Sequence, residues 1–390
     1  MHDRPSMFAF ATSELSQDAF LGWLLAWADP RFAQADGGLH RAGRRFLHQL
    51  AEVVGWPKPT DQGSVRVELQ VDRIDLLVRV GSDRALVIED KVDANEAGNP
   101  LVAYKERAAR RLAVPTAHVA GVYLKTGDQS DFSKAKAAGF VLFDRTRLLD
   151  VLQAAVDDGV RNDILLDFLD HMRRREAQTS AWRTHPVDRW VGDAHNLLWR
   201  GFFGALQSEI GEGNWGFVNN AGGGVYAFWW ARRQVEGGWL YLQADSRVRL
   251  AVRVWVADGH DRTDVRRRWQ GALTSTPDAT VRFVAPPNPR SGKSAEVARF
   301  ATPWVLGDVT GKLDLAATVA SLRAVAAGLD AIAVPQAEGR DWPRSQRRRP
   351  PRLRFGEPRH AERWTPGHAE RCPPRVGLAG TAFGTARSCR

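Results

Sequence analysis

The chain predicts an α/β core with a mixed central sheet flanked by helices, followed by a smaller α+β domain. Three observations carry this. Up to residue 178 the order reads helix, helix, three strands, helix, two strands, two helices, which alternates hairpins with helical crossovers as a mixed sheet requires. From about residue 180 the texture changes, and ten of the 15 Trp fall between 182 and 304 among short strands. Residues 336–390 then hold seven Pro and six Gly with no apolar periodicity, so an Arg/Pro-rich disordered tail is expected there. The expected division is 1–178, 179–335 and 336–390.

The first helix lies in "SELSQDAFLGWLLAWADP", where Phe20, Trp23, Leu24 and Trp27 recur at helical spacing, Thr12 or Ser13 can cap and Pro30 stops the run. Glu14, Asp18, Leu21 and Leu25 share a second stripe of that helix. "RAGRRFLHQLAEVVG" gives the second helix, ended by Gly55 and Pro57. "SVRVELQV", "RIDLLVRV" and "RALVIEDKV" are three strands, and Asn99-Pro100 opens a helix through "LVAYKERAARRLA". "AHVAGVYLKT" and "GFVLF" are strands, followed by helices near 145–156 and 161–176. The second half carries strands such as "GVYAFWWARR", "GWLYLQAD" and "RVRLAVRVWV", with helices near 188–210, 261–273 and 312–332. Ten Trp in so small a domain read chiefly as core, with base stacking as the rival use.

Composition narrows the chemistry. The net charge of +10 sits mainly in the tail, where thirteen Arg face five acids; the remainder is nearly balanced. Both cysteines, Cys372 and Cys389, also lie in the tail, which leaves the body without a disulfide, a thiolate metal site or a Cys nucleophile. The ten His form no HxH or HxxxH pattern, so zinc is unsupported. "MHDRPSMFAFATSELSQDAF" lacks a signal-peptide pattern and no transmembrane run is expected, which gives a cytoplasmic protein without a membrane partner. "PPNPRSGKSAE" is no phosphate loop, because the position that needs Gly is Pro287. "NNAGGGVY" is a loop before a strand rather than a dinucleotide fingerprint.

The informative stretch is "RIDLLVRVGSDRALVIEDK", residues 73–91. With Gly81-Ser82-Asp83 as a three-residue hairpin loop, Val80 pairs with Arg84 and Asp75 falls opposite Glu89. Opposed side chains share one face of the sheet, about 5 Å apart at Cβ, and alternation puts Lys91 on that face as well. Two carboxylates so close repel unless a cation intervenes. A hard divalent cation such as Mg²⁺ or Mn²⁺ suits them, and the Asp90 carbonyl can add an oxygen. Beside it, Lys91 can orient a water or offset charge on a scissile phosphate, an arrangement suited to phosphodiester hydrolysis. The competing arrangement is a salt-bridged hairpin on a solvated edge, with Asp75 and Glu89 paired to Arg73 and Lys91. The flanking "LLV" and "LVI" argue for a buried central strand instead.

These residues resemble the PD-(D/E)XK nuclease superfamily, in particular a bacterial nuclease-like group with an N-terminal "FLxWLL" helix. Here the helix is "ELSQDAFLGWLLAWADP", the motif strands are "RIDLLV" and "VIEDK", and the following helix carries "LVAY". The resemblance spans roughly 10 to 178 and implies a restriction-endonuclease-like core. It implies metal ligation by Asp75 and Glu89, Lys91 as the catalytic lysine, Glu14 directed toward the metal, and Glu68 as a further acid divided between site and surface. Tyr104 reads as a packing residue. Many relatives carry Gln where this chain has Pro100, so either Asn99 substitutes or the site works without it. The resemblance implies a metal-dependent nuclease acting on nucleic acid, DNA in preference to RNA, and suits defence against foreign DNA. The rival is the same fold kept as a non-catalytic nucleic-acid- or protein-binding module. The basic residues Lys105, Arg107, Arg110 and Arg111 are divided between phosphate contacts and a solvated helix face.

Overall fold

The computed structural model describes residues 5–332 apart from 12, 61, 94–100, 192–195, 220–222, 276–280 and 288–291. The expected tail, both cysteines, Thr12 and Asn99-Pro100 lie outside the described residues.

Five strands form the first sheet in the order β1-β2-β3-β4-β5: β1 (Val65–Val71), β2 (Ile74–Val80), β3 (Arg84–Lys91), β4 (Val119–Lys125) and β5 (Phe140–Asp144). The first three are antiparallel, and β3, β4 and β5 are parallel. This is the mixed sheet expected from the order of elements. The β1–β2 connection is a two-residue turn with Asp72 at φ 51° and Arg73 at φ 67°, the left-handed pair whose twist matches a hairpin.

Alternation sorts the strand residues onto two faces. Leu76, Val78, Leu86, Ile88, Val122 and Leu124 enter a core with helices α1 (Glu14–Ala26), α2 (Gly37–Val53), α4 (Arg145–Asp157) and α5 (Asp163–Ser180). Leu77, Ala85, Val87, Val119 and Tyr123 enter the opposite core with α3 (Leu101–Leu112). β3 is therefore apolar on both faces, and each polar residue in it has to be satisfied locally.

Helix α2 starts at Gly37, earlier than the apolar pattern indicated, because the Asp36 carboxylate accepts the Leu39 N–H at 2.9 Å. That cap outweighs the poor propensity of the two glycines. In the same way the Asn162 side chain caps α5 through Ile164 and Leu165.

The second sheet has six antiparallel strands in the order β10-β11-β9-β8-β7-β6: β6 (Asn214–Val218), β7 (Val225–Val235), β8 (Gly238–Asp245), β9 (Leu250–Val256), β10 (Phe283–Val284) and β11 (Ser294–Phe300). Its core takes residues from α6 (Leu198–Ile210), α7 (Arg262–Thr274) and α8 (Leu315–Ile332). Trp182, Trp190, Trp199, Trp215, Trp230 and Trp304 belong to that core, so most of the tryptophans there are structural. Helix α8 falls where a helix near 312–332 was expected, and by length and composition alone its 18 residues could cross a membrane. Alanines fill its outer side, while Thr318, Val319, Leu322, Val325 and Leu329 are buried. A core helix passes the same test.

Candidate active site

The β2–β3 register runs from Val80↔Arg84 to Leu76↔Ile88, which continues to Asp75 opposite Glu89. Both carboxylates then meet one ammonium. Lys91 Nζ lies 2.9 Å from Glu89 Oε1, 3.2 Å from Asp75 Oδ2 and 3.8 Å from Glu14 Oε2. Glu14 arrives from the first turn of α1, and its other oxygen accepts the Val92 N–H at 2.9 Å. Asp75 Oδ2 also accepts the Asp90 N–H at 3.0 Å. The four side chains named from the sequence are thus brought together at the C-terminal end of β3, with Glu14 the most exposed.

Asp90 divides in two. Its backbone carbonyl faces the site and accepts from Lys91 Nζ at 2.6 Å. Its carboxylate points through the other face of β3, where the Gln17 amide donates to it at 2.6 Å. Gln17 is fixed in turn, since Thr126 Oγ1 donates to its carbonyl oxygen at 2.8 Å. Asp18 lies beside Asp90, and the Gln70 amide bridges Asp18 at 2.8 Å and Asp75 at 3.4 Å. Gln70 holds φ 54° within β1, a left-handed conformation that costs a non-Gly residue about 1 kcal/mol and that accompanies its reach to both acids. Truncating Gln17 to Ala is expected to lower stability by about 1–3 kcal/mol, because Asp90 loses its donor. Thermal unfolding checks this.

Electrostatics follow burial. Glu89 is pushed up to about 7 by burial, with Lys91 opposing and Asp75 adding to the shift. Asp18 is raised to about 6 by burial and then by Asp75, and Asp90 is raised by burial and Asp18. Burial works against the Lys91 ammonium, but Glu89 and Asp75 outweigh it and hold it well above an ordinary lysine. In the metal-free protein these acids therefore hold Lys91 in its charged form. Lys125, its register partner on β4, is buried, and that burial, followed by Arg200, lowers it to about 7.

Other candidates fall outside the cluster. Glu68 shares the sheet face but stands at mid-strand opposite Leu77, two residues along from Asp75, and Arg111 takes it at 2.6 Å. Arg111 also approaches Asp72, Arg107 donates to the Asp72 carbonyl, and Arg110 pairs with Glu106. These contacts favour the solvated-face reading of that helix. Tyr104 is buried in the α3 core, and burial, then Glu89 and Asp75, raises its phenol. The sequence reading passed over Gln17, Gln70 and Thr126. The signal for Gln17 was available: it falls on the inward stripe with Glu14, Asp18 and Leu21, and an amide there needs partners.

Among the described residues, no three or more His, Cys, Asp or Glu are grouped so as to hold a metal ion. The donors at the site are two opposed carboxylates and the Asp90 carbonyl, all hard oxygens, gathered around a cationic nitrogen. That chemistry fits a divalent cation of the Mg²⁺ kind that keeps several of its waters.

Residues 7–184 match the model of a PD-(D/E)XK nuclease superfamily family. No curated protein matches the chain, and no solved structure does. PD-(D/E)XK proteins are generally nucleases and typically use divalent metals such as Mg²⁺. The matched stretch contains Glu14, both hairpin acids, Lys91 and the whole five-stranded sheet, and this part of the chain is a PD-(D/E)XK nuclease-superfamily domain.

Proposed function

We propose that this chain is a metal-dependent nuclease that hydrolyses phosphodiester bonds in nucleic acid, DNA rather than RNA. Asp75, Glu89 and the Asp90 carbonyl would hold Mg²⁺ or Mn²⁺, and Glu14 would border the ion on the solvent side. One observation carries the reading: three acids from α1, β2 and β3 converge on the Lys91 ammonium. The bound cation would neutralise charge on the phosphoryl group. Lys91 would donate hydrogen bonds to the attacking water or to a phosphate oxygen. Asp75 orients Lys91 and, through the Asp90 N–H, fixes the strand end that carries it.

Calorimetric titration of Mg²⁺ and Mn²⁺ into the parent chain and into Asp75→Asn tests the site. The reading requires saturable binding in the parent and a loss of about tenfold or more in the variant. Absence of binding in the folded parent would shift the reading to a non-catalytic binding module.

The raised Glu89 gives a pH dependence with a definite sign. Its folded value near 7 exceeds its ordinary 4.5, so between the two the folded state binds more protons than the unfolded one. Stability of the metal-free protein should therefore fall as pH rises from about 4.5 to about 7. Unfolding curves across that window check it, and Glu89→Gln should reduce the slope.

A further inference from the structure

We propose that Arg200, which belongs to the helix α6 of the second half, is a positioning residue for the catalytic strand: through Asp93 it fixes the chain that carries Lys91. The proposal rests on the nuclease reading above and extends the working site into the part of the molecule beyond the family match.

Arg200 is 6% exposed. One guanidinium nitrogen is paired with the Asp93 carboxylate, and the other donates to the Asp128 carbonyl at 2.6 Å. Arg175 from α5 pairs with the same Asp93 oxygen. Asp93 stands two residues beyond Lys91, and Val92 between them is held by Glu14. The neighbouring loop is tied to the same place. Thr126 N–H donates to the Lys91 carbonyl at 3.2 Å, and Gly127 packs so tightly on Val92 that a Cβ would overlap its carbonyl oxygen.

The approach of α6 is equally specific. At Gly201 a Cβ would overlap the Thr179 carbonyl of α5, so the two helices meet backbone to backbone beside Arg200. Further along α6, Gln207 donates to the Ser130 carbonyl at 3.0 Å, while Ser130 Oγ donates to the Trp215 carbonyl on β6 at 2.7 Å. Simple docking of two bodies requires only apolar contact. Here two largely buried guanidiniums share one carboxylate, and that carboxylate lies on the stretch that ends β3. Releasing it would leave two cations uncompensated, so the register of the strand end is tied to α6. The two guanidiniums outweigh burial and hold the Asp93 carboxyl below the usual range.

Hydrogen–deuterium exchange combined with cleavage kinetics tests this in Arg200→Gln, Asp93→Asn and the double variant. Asp93→Asn serves if Arg200→Gln does not fold, because the Asp93 side chain is 57% exposed. The expected result is amide exchange about tenfold faster at residues 86–93 with β8 and β9 still protected. Turnover should fall by up to about 10²-fold with KM little changed, and the double variant should be no worse than either single one. Unchanged exchange at 86–93 would overturn the proposal. Acceleration spread equally over both sheets would also overturn it, since that marks a purely global role. If no protein cleaves any polymer while exchange at 86–93 still rises locally, the positioning stands and the nuclease reading falls.

Discussion

Lys91→Ala should unfold more readily than the parent in chelator, and divalent cation should recover much of the loss. In the parent, one ammonium lies 2.9 Å from Glu89 and 3.2 Å from Asp75, with Glu14 at 3.8 Å. Removing it leaves three acids facing one another at a strand end where Glu89 is already buried enough to titrate near 7. Breaking such a buried pair costs about 3–5 kcal/mol, because the remaining charge has no partner. Mg²⁺ or Mn²⁺ bound to the folded state should then raise Tm by mass action. Cleavage should still fall by about 10³-fold, since the cation cannot replace a fixed donor beside the scissile phosphate. Thermal unfolding with and without cation measures the first effect, and initial rates measure the second. A variant as stable as the parent in chelator would show that Lys91 is not compensating these carboxylates.

Gly127→Ala should be the most damaging single methyl near the site. The added Cβ would overlap the Val92 carbonyl oxygen and crowd the Arg175 guanidinium. Backbone cannot yield as the end of a flexible side chain can, so Val92 or the 126–128 loop must shift. Overpacking of this kind costs about 3 kcal/mol. The displaced residue is adjacent to Lys91, and a misplacement of about 1 Å there would lower turnover by about 10²-fold. Gly204→Ala makes the contrasting case. It lies within α6 with nothing within 4 Å of its Cβ, so it should raise stability by up to about 1 kcal/mol. Unfolding curves of both variants, together with rates for Gly127→Ala, check the pair. Equal effects at the two positions would contradict the close approach at Val92.

Local features of the sequence already placed the hairpin acids. A three-residue loop and strict alternation determined which residues oppose each other, and Val80↔Arg84 follows that register. Glu14 was legible because it precedes an amphipathic helix whose apolar stripe must lie on the sheet. The burial of β3 on both faces was legible from "LVI". What could not be read was the role of residues that meet across long separations. Gln17 contacts Asp90 and Thr126, and Gln70 reaches Asp18, only after α1 has packed across the sheet. Glu68 shows the limit of spacing: it occupies the correct face, opposite Leu77 at mid-strand, but Arg111 from α3 takes it. The link from Arg200 to Asp93 crosses from the second half of the chain and has no local signature at all. Helix α8 was legible as a helix near 312–332, but its alanines make composition uninformative about which side is buried.

The most direct measurement is cleavage of single- and double-stranded DNA and RNA by the full chain in Mg²⁺ or Mn²⁺, compared with chelator and with Asp75→Asn. The expected result is cleavage of DNA that requires the cation and is lost in the variant while the variant remains folded. Cleavage that persists in Asp75→Asn, or no cleavage of any of these polymers by the folded parent, would contradict the assignment of Asp75, Glu89 and Lys91 as a nuclease site.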